Sequence, residues 1–472
     1  MNLRRREVLT GIGASTLAWA FGCHRAPPAA PHVEVSGEVR SWLRDAVARL
    51  AGVFAYARAT AVSRRRTTAA IDALGTGVAR AQFDTVVLRV RDADGSWREH
   101  VGSVLTRDGV AAAVHALVGD STKVGNVSFG APQRTVPVIA VDPRRLTDRE
   151  LHDRVQHIAD GDHRLTSQIV YAAASIDVDD ATIWSVSRDS DREQRLVRVR
   201  RSATRVAWNG IHPVVTEASA GWTGGIDDRQ LEPETVQAAT TSALELITPD
   251  NFDDGTYTLA LDPSVVATII DASVRGLLTS AALRRPEVAN RLAIGAGVAS
   301  PLLSLADDPT QPHAYGGFAF DDDGQPATRT PLVDAGHIVG RLERALRPGH
   351  IGPIEPRPSH LQLAAGSSDP DLVPDGFALE RGQSVVIDPS SDRIVVAVSR
   401  AREWRGGRRT GRVFADVELV GELGALLASV TAVGSDSTSF ALRDEVDELP
   451  RWRSIEAPSL RLRGALRGRR LA

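Results

Sequence analysis

The sequence predicts an α+β fold, with an N-terminal α/β layered domain followed by a β-rich, barrel-like or sandwich C-terminal domain. Three observations predict it. Segments with apolar residues at helical spacing interrupt long strand-like runs in the first half. A glycine-rich break, ASAGWTGGIDD from Ala218, divides the chain near its middle. Beyond about Pro301 almost every patterned run reads as strand.

Taken in order, GEVRSWLRDAVARLAG from Gly37 places Val39, Trp42, Leu43, Val47 and Leu50 on one helical face. VFAYARATAV, TTAAIDALG and FDTVVLRVRDADGSWREHVGSV read as strands, and the Asp94-Gly95 pair predicts a hairpin turn. GVAAAVHALV and LTDRELHDRVQHIADG read as helices, the second opened by Thr147 with Glu150 in capping-box spacing. QIVYAAASIDV, TIWSVSRDS and EQRLVRVRRSATRVAWNG predict three more strands, continuing to HPVVTEAS. PETVQAATTSALELI is a helix opened by Pro233, TYTLALDP a strand, and PSVVATIIDASVRGLLTS a helix opened by Pro263. The expected divisions are a signal peptide over 1–23, a Pro/Ala tether over 24–36, an α+β domain over 37–225, a central helical segment over 226–300 and a β-rich domain over 301–472.

At 472 residues and 42% hydrophobic composition, the chain can bury a large core. A formal net charge of −3 gives no general attraction for nucleic acid or anionic membrane, and no nucleic-acid partner is expected. Arginine supplies nearly all the positive charge, with Lys123 the only lysine, and biased codon usage accounts for this better than RNA binding does. Three arginines precede a short apolar stretch, Val8 to Gly22, in the shape of a signal peptide. The order Arg5-Arg6-Glu7-Val8-Leu9 resembles a twin-arginine export signal, and Cys23 stands where a lipoprotein would carry its anchor. The expected location is therefore exported, periplasmic or membrane-anchored through Cys23, with the cytoplasm as the alternative. The single cysteine allows no intrachain disulfide.

Several patterns suggest chemistry and fail on spacing. His152, His157 and His163 form H-x4-H-x5-H, but five residues turn helical side chains about 140° apart, whereas helical ligand pairs share a face. His313, His337, His350 and His360 are expected in turns without ligand spacing. DADG and DDDG, ending at Gly95 and Gly324, lack the glutamate of a calcium loop and are expected to be turns. No G-x-S-x-G, phosphate loop or HExxH occurs.

One family's motifs recur in order after Pro263. FAFDDDGQPATRTPLVDAGHIVGRL carries an acidic-Gly turn at Asp322, Asp323 and Gly324, then Leu332, Val333, Gly336, Ile338 and Leu342 at hairpin spacing. HLQLAAGSSDPDLV and a closing WRSIEAPSLRLRGALRG follow. In these motifs, over roughly residues 37–468, the chain resembles the TldD/PmbA zinc metallopeptidases and their partners, as a divergent TldE/PmbA-like member. The resemblance implies a zinc helix, HExxxH, where PSVVATIIDASVRGLLTS stands. Laid on DASVRG without gaps, that motif puts Asp271 at the first histidine, Ala272 at the glutamate and Gly276 at the second histidine. The family's third ligand, a late cysteine, has no counterpart here.

Zinc is therefore implied by the family and not by these residues, and neither catalytic nor metal-ligating residues are assigned. The resemblance implies a non-catalytic TldE-like subunit. It would pair with a TldD-like HExxxH subunit, or self-associate, around unstructured peptides. The alternatives are a peptidase rebuilt on Asp271, His313 and His337, and an envelope scaffold using the fold alone. Asp271 and Arg275, four residues apart, are expected to pair along the helix.

Overall fold

Long alternating runs at the start of the chain build one broad antiparallel sheet. The computed structural model describes residues 36–73, 75–160, 166–210, 213–342, 356–369, 375–446 and 449–468. The signal-peptide and tether segments, Cys23, His163 and His350 lie outside the described residues. Helix α1 (Ser36–Ala51) leads into strands β1 (Tyr56–Asp72), β2 (Gly75–Arg91) and β3 (Trp97–Gly102), then helix α2 (Arg107–Val118) and strand β4 (Gln133–Thr135). Helix α3 (Asp148–Asp160), strands β5 (Ile169–Ser187), β6 (Asp191–Trp208) and β7 (Pro213–Thr223), and helix α4 (Pro233–Glu245) complete this half. The sheet order is β3-β2-β1-β5-β6-β4, with β7 also on β6.

Two pairs of expected strands are fused. VFAYARATAV and TTAAIDALG form the single β1, and QIVYAAASIDV and TIWSVSRDS form the single β5. The charged residues that seemed to break each run, Arg64 to Arg66 and Asp177 to Asp180, face one another across the β1–β5 pairing, so neither run needs a turn there. The Asp-Gly turn does join β2 to β3, with Gly95 at φ 89°. Thr147 and Glu150 close the expected capping box, Glu150 N donating to Thr147 Oγ1 at 3.3 Å and Thr147 N to Glu150 Oε2 at 2.8 Å.

The second half carries two six-stranded sheets. Strand β8 (Gly255–Leu261) runs into helix α5 (Pro263–Leu277) and helix α6 (Pro286–Arg291). Strands β9 (Leu305–Asp307), β10 (Thr330–Asp334), β11 (His337–Ile338) and β12 (His360–Leu363) follow, then β13 (Gly376–Asp388), β14 (Arg393–Arg405) and β15 (Arg408–Glu422). Helix α7 (Leu423–Ala428) precedes strands β16 (Ala432–Val433), β17 (Thr438–Val446), β18 (Leu449–Ala457) and β19 (Leu460–Gly468).

One sheet runs β11-β10-β9-β12-β18-β17. The other runs β15-β14-β13-β8-β19-β16, and pairing of β15 with β19 closes five of its strands into a barrel. Leu259, Leu379, Val396, Val398, Leu419 and Leu462 are buried in its core, where α5 also packs. No described helix is long and apolar enough to cross a membrane.

The first sheet is covered on one face. Ala57, Ala59 and Ala61 of β1 share a core with Leu43 and Val47 of α1. Alternation then turns Arg58, Arg64 and Arg66 to the opposite, inner face, which looks toward the second half of the chain.

Candidate functional site

Asp262 starts α5 as its N-cap, accepting from Val265 N at 2.8 Å, and Pro263 fits the first turn. Burial pushes the Asp262 carboxyl up, against hydrogen bonds from Val265 N, Ser264 Oγ and Arg381 N. Val265, Ile269, Ile270 and Val274 form the buried stripe of the helix, and Asp271 is buried beside them.

A carboxylate there needs partners, and it has two. Arg275 Nε donates to Asp271 Oδ2 at 2.9 Å, so the expected i, i+4 pair exists. Arg453 of β18, 182 residues away, places Nε 3.1 Å from Oδ1 and donates through Nη2 to Oδ2 at 3.2 Å. Arg453 is buried, its side chain 8% exposed, whereas that of Arg275 is 42% exposed. The distant arginine is therefore the electrostatically important partner, since solvent screens the near one.

Ala272 offers no donor atom, and nothing lies within 4 Å of where a Cβ on Gly276 would stand. Among the described residues no group of three or more His, Cys, Asp or Glu side chains comes together as a metal site. The side chains on this helix do not fit a zinc ion, which needs about three nitrogen, sulfur or oxygen ligands with an open position.

The other candidates are dispersed. His313, at φ 63°, holds Nδ1 3.2 Å from Thr223 O, while His337 Nδ1 is 3.0 Å from Ala335 O. Each is anchored to separate backbone, and Asp271 faces arginines instead of either histidine. His152 and His157 lie on α3, where His157 borders a small recess with Gln230 and Glu232. His360 is in no turn: it opens β12, is buried, and has Nδ1 2.8 Å from Ser454 Oγ on β18. Burial holds its imidazole below the usual histidine range.

The residue pattern that sequence reading missed lies on the inner face of the first sheet. Trp452 of β18 sits between two guanidiniums, Arg64 of β1 at 4.5 Å and Arg198 of β6 at 4.6 Å from the ring centre. Arg198 is buried, and burial pushes its pKa down to about 10. It donates to Tyr315 O at 2.9 Å and Gly317 O at 3.2 Å, stitching the sheet to the loop that precedes the acidic turn.

Comparison with known proteins agrees with this architecture. Residues 254–466 match the family described as the PmbA/TldA metallopeptidase C-terminal domain. The second half of the chain is thus similar to the PmbA/TldD metallopeptidase family. A relative described as a metalloprotease of Synechocystis sp. is 24% identical over 355 residues, covering 69% of this chain and 74% of that one. The crystal structure of a proposed modulator of a DNA gyrase from Thermotoga maritima superposes with a TM-score of 0.70 at 16% identity, covering 92% of this chain and all of that one. TldE from Thermococcus kodakarensis superposes with a TM-score of 0.67 at 14% identity, again over 92% and 100% of the two chains. At these identities the superpositions establish the shared fold.

The acidic turn of this chain is a clamp. Asp321 N donates to Gln325 O, and Gly324 N to Asp321 O, with Gly324 at φ 65°. Asp323 Oδ1 accepts from Arg89 at 2.7 Å and Arg58 at 3.4 Å, tying the turn to β2 and β1. Asp321 accepts from the backbone of Asp323 and Gln325. Burial, together with the neighbouring Asp323 and Asp322 carboxylates, pushes its pKa up to about 6.

The raised value sets a sign. Between about pH 4 and pH 6 the folded state holds a proton that the unfolded state has lost, so this group costs stability as pH rises through that window. Asp321→Asn keeps the accepting oxygen and removes the charge. The variant should gain up to about 1 kcal/mol at pH 7 and nothing at pH 3.5, the value being discounted for the exposure of the side chain. Urea unfolding at the two pH values checks it, and equal shifts at both would show that charge is not the cause.

Proposed function

We propose that this chain is a non-catalytic, TldE-like member of the PmbA/TldD family, serving as the partner or peptide-binding subunit of a metallopeptidase. The observation that carries the reading is the state of Asp271. At the place where the family's zinc helix is expected, the one carboxylate is committed to Arg275 and Arg453, and its neighbours Ala272 and Gly276 provide neither base nor ligand. Both guanidiniums donate to Asp271 Oδ2, and Arg453 Nε also lies 3.1 Å from Oδ1, so the carboxylate is engaged in holding α5 to β18. The fold shared with TldE supports the same reading.

The deciding experiment compares the purified chain with its complex. Alone, it should retain no stoichiometric zinc and leave unstructured peptides uncut. Co-expressed with a HExxxH-bearing subunit, it should form a stable complex whose cleavage a chelator abolishes. Chelator-sensitive cleavage by the chain alone would overturn the reading. We also propose that the chain works outside the cytoplasm, on the strength of the twin-arginine-like start and Cys23; cell fractionation with a Cys23→Ser variant tests export and anchoring separately.

A further inference from the structure

The ring of His360 belongs to a buried chain of polar groups between β12, β18 and the loop that follows β9. Strands β12 and β18 run parallel with His360 beside Ser454 and Gln362 beside Glu456, so these four side chains share one face of the sheet. His360 and Ser454 are buried, and His360 Nδ1 lies 2.8 Å from Ser454 Oγ. Gly316 N donates to the same Oγ at 3.0 Å. On the far side of the ring Nε2 faces Glu456 Oε2 at 3.8 Å, and Gln362 Nε2 donates to that carboxylate at 3.2 Å.

Charge and geometry fix the tautomer. A carboxylate opposite Nε2 favours a proton there, which leaves Nδ1 an acceptor. The chain then runs one way, from Gly316 N–H to Ser454 Oγ and from Ser454 O–H to His360 Nδ1. Protonating the ring reverses the last link. Ser454 Oγ would then face two donors, and among the described residues its own hydrogen has no further acceptor. A buried hydroxyl without an acceptor is costly, so a charged ring and the Gly316 contact oppose one another. The charged groups around the ring are Glu456 on β18, Asp307 and Asp308 at the end of β9, and Arg329, which is 3.9 Å from Asp308. Burial outweighs the pull of Glu456 and Asp308 and keeps the imidazole below its usual range.

We propose that His360 is a pH-sensitive latch, whose protonation releases Gly316 from Ser454 and frees the 308–317 loop from β18. That loop also meets the first sheet, through Arg198 and through Thr223 Oγ1, which donates to Ala314 O at 2.7 Å. Release therefore loosens the seam between the first sheet and β18. The closed loop holds the ring neutral, whereas an open loop lets water solvate the charged ring, so protons are taken up on opening and acid favours the open form. The latch is closed above about pH 6.5, the ordinary histidine value, and opens progressively at lower pH. Asp307 and Asp321, carboxyls that burial pushes up, act with the opposite sign, because they hold their protons more tightly in the folded state. His313, on the same loop, is exposed, and its Nδ1 donates to Thr223 O in either charge state.

Hydrogen–deuterium exchange of the full-length protein at pH 7.5, 6 and 5, corrected for the intrinsic rate, tests the latch. Protection of the Gly316 and Gly317 amides should fall at least fivefold between pH 7.5 and pH 5, while that of the β1–β2 hairpin stays constant. His360→Asn keeps an acceptor oxygen near the position of Nδ1 and cannot titrate, so its protection should not change with pH. Glu456→Gln removes a charge that favours the imidazolium and should move the transition to lower pH without abolishing it. Protection that ignores pH in the unmodified chain overturns the latch. So does a fall that persists in His360→Asn, or a transition that Glu456→Gln leaves in place. The unmodified and Glu456→Gln series decide the matter even where His360→Asn fails to fold.

Discussion

Asp271→Ala should be the most damaging substitution on α5, lowering stability by about 3 kcal/mol, because it removes the carboxylate that Arg453 faces in a buried setting. Arg275→Ala removes the other partner, but its side chain is 42% exposed, and the loss should stay below about 1 kcal/mol. The contrast separates two accounts of the carboxylate. If the helix pair alone mattered, the two variants would be equally mild. A double variant, Asp271→Leu with Arg453→Met, should recover part of the loss by replacing the buried pair with apolar volume. Urea melts of the four proteins measure all of this, and an Asp271→Ala protein as stable as Arg275→Ala would refute the role assigned to Arg453.

Gly316→Ala should be nearly as costly, for a steric reason. A Cβ built on Gly316 would stand 1.8 Å from Ser359 O and 3.0 Å from Arg453 Cα, and both are backbone atoms that cannot swing aside. Gly316 N also donates to Ser454 Oγ at 3.0 Å, the hydroxyl that meets His360. The methyl group must therefore push the loop away from β18 and loosen the stitch that Arg198 makes to Tyr315 and Gly317. Overpacking of this kind costs about 1–3 kcal/mol, and more where the backbone must move. An unchanged melting temperature would show that the loop gives way without resistance.

How much of this was legible in the chain differs by distance along it. Local chemistry was readable: Thr147 with Glu150, the Asp-Gly turn, Pro263 at the start of α5, and Asp271 four residues from Arg275 all act over a few residues. The strand fusions were not, because Arg64 to Arg66 and Asp177 to Asp180 look like loop composition until each is seen to supply the other's counter-charge. Arg453 was invisible as a partner of Asp271, since no periodicity links positions 182 residues apart. The arginine-rich composition gave no hint of position either. In the structure those side chains work: Arg89 and Arg58 clamp Asp323, and Arg64 and Arg198 enclose Trp452. For Asp271 the spacing offered only Arg275, and its commitment to two cations needed three dimensions.

The closed barrel carries a kinetic consequence. Strand β8 is inserted between β13 and β19, so Leu259 pairs with Phe377 on one side and Leu462 on the other. Neither contact can form until more than a hundred further residues have been searched through, and one of them is a parallel pairing. Contacts of such long sequence separation make folding slow. The hairpins β1–β2, β5–β6 and β6–β7 join neighbours in the chain and need no such search. Refolding should accordingly proceed in two steps, with early amide protection in these hairpins and late protection at Leu259 to Leu261. Until that late step α5 has no barrel to rest on, so a chaperone would meet its apolar stripe as the longest-lived exposed surface of the nascent protein.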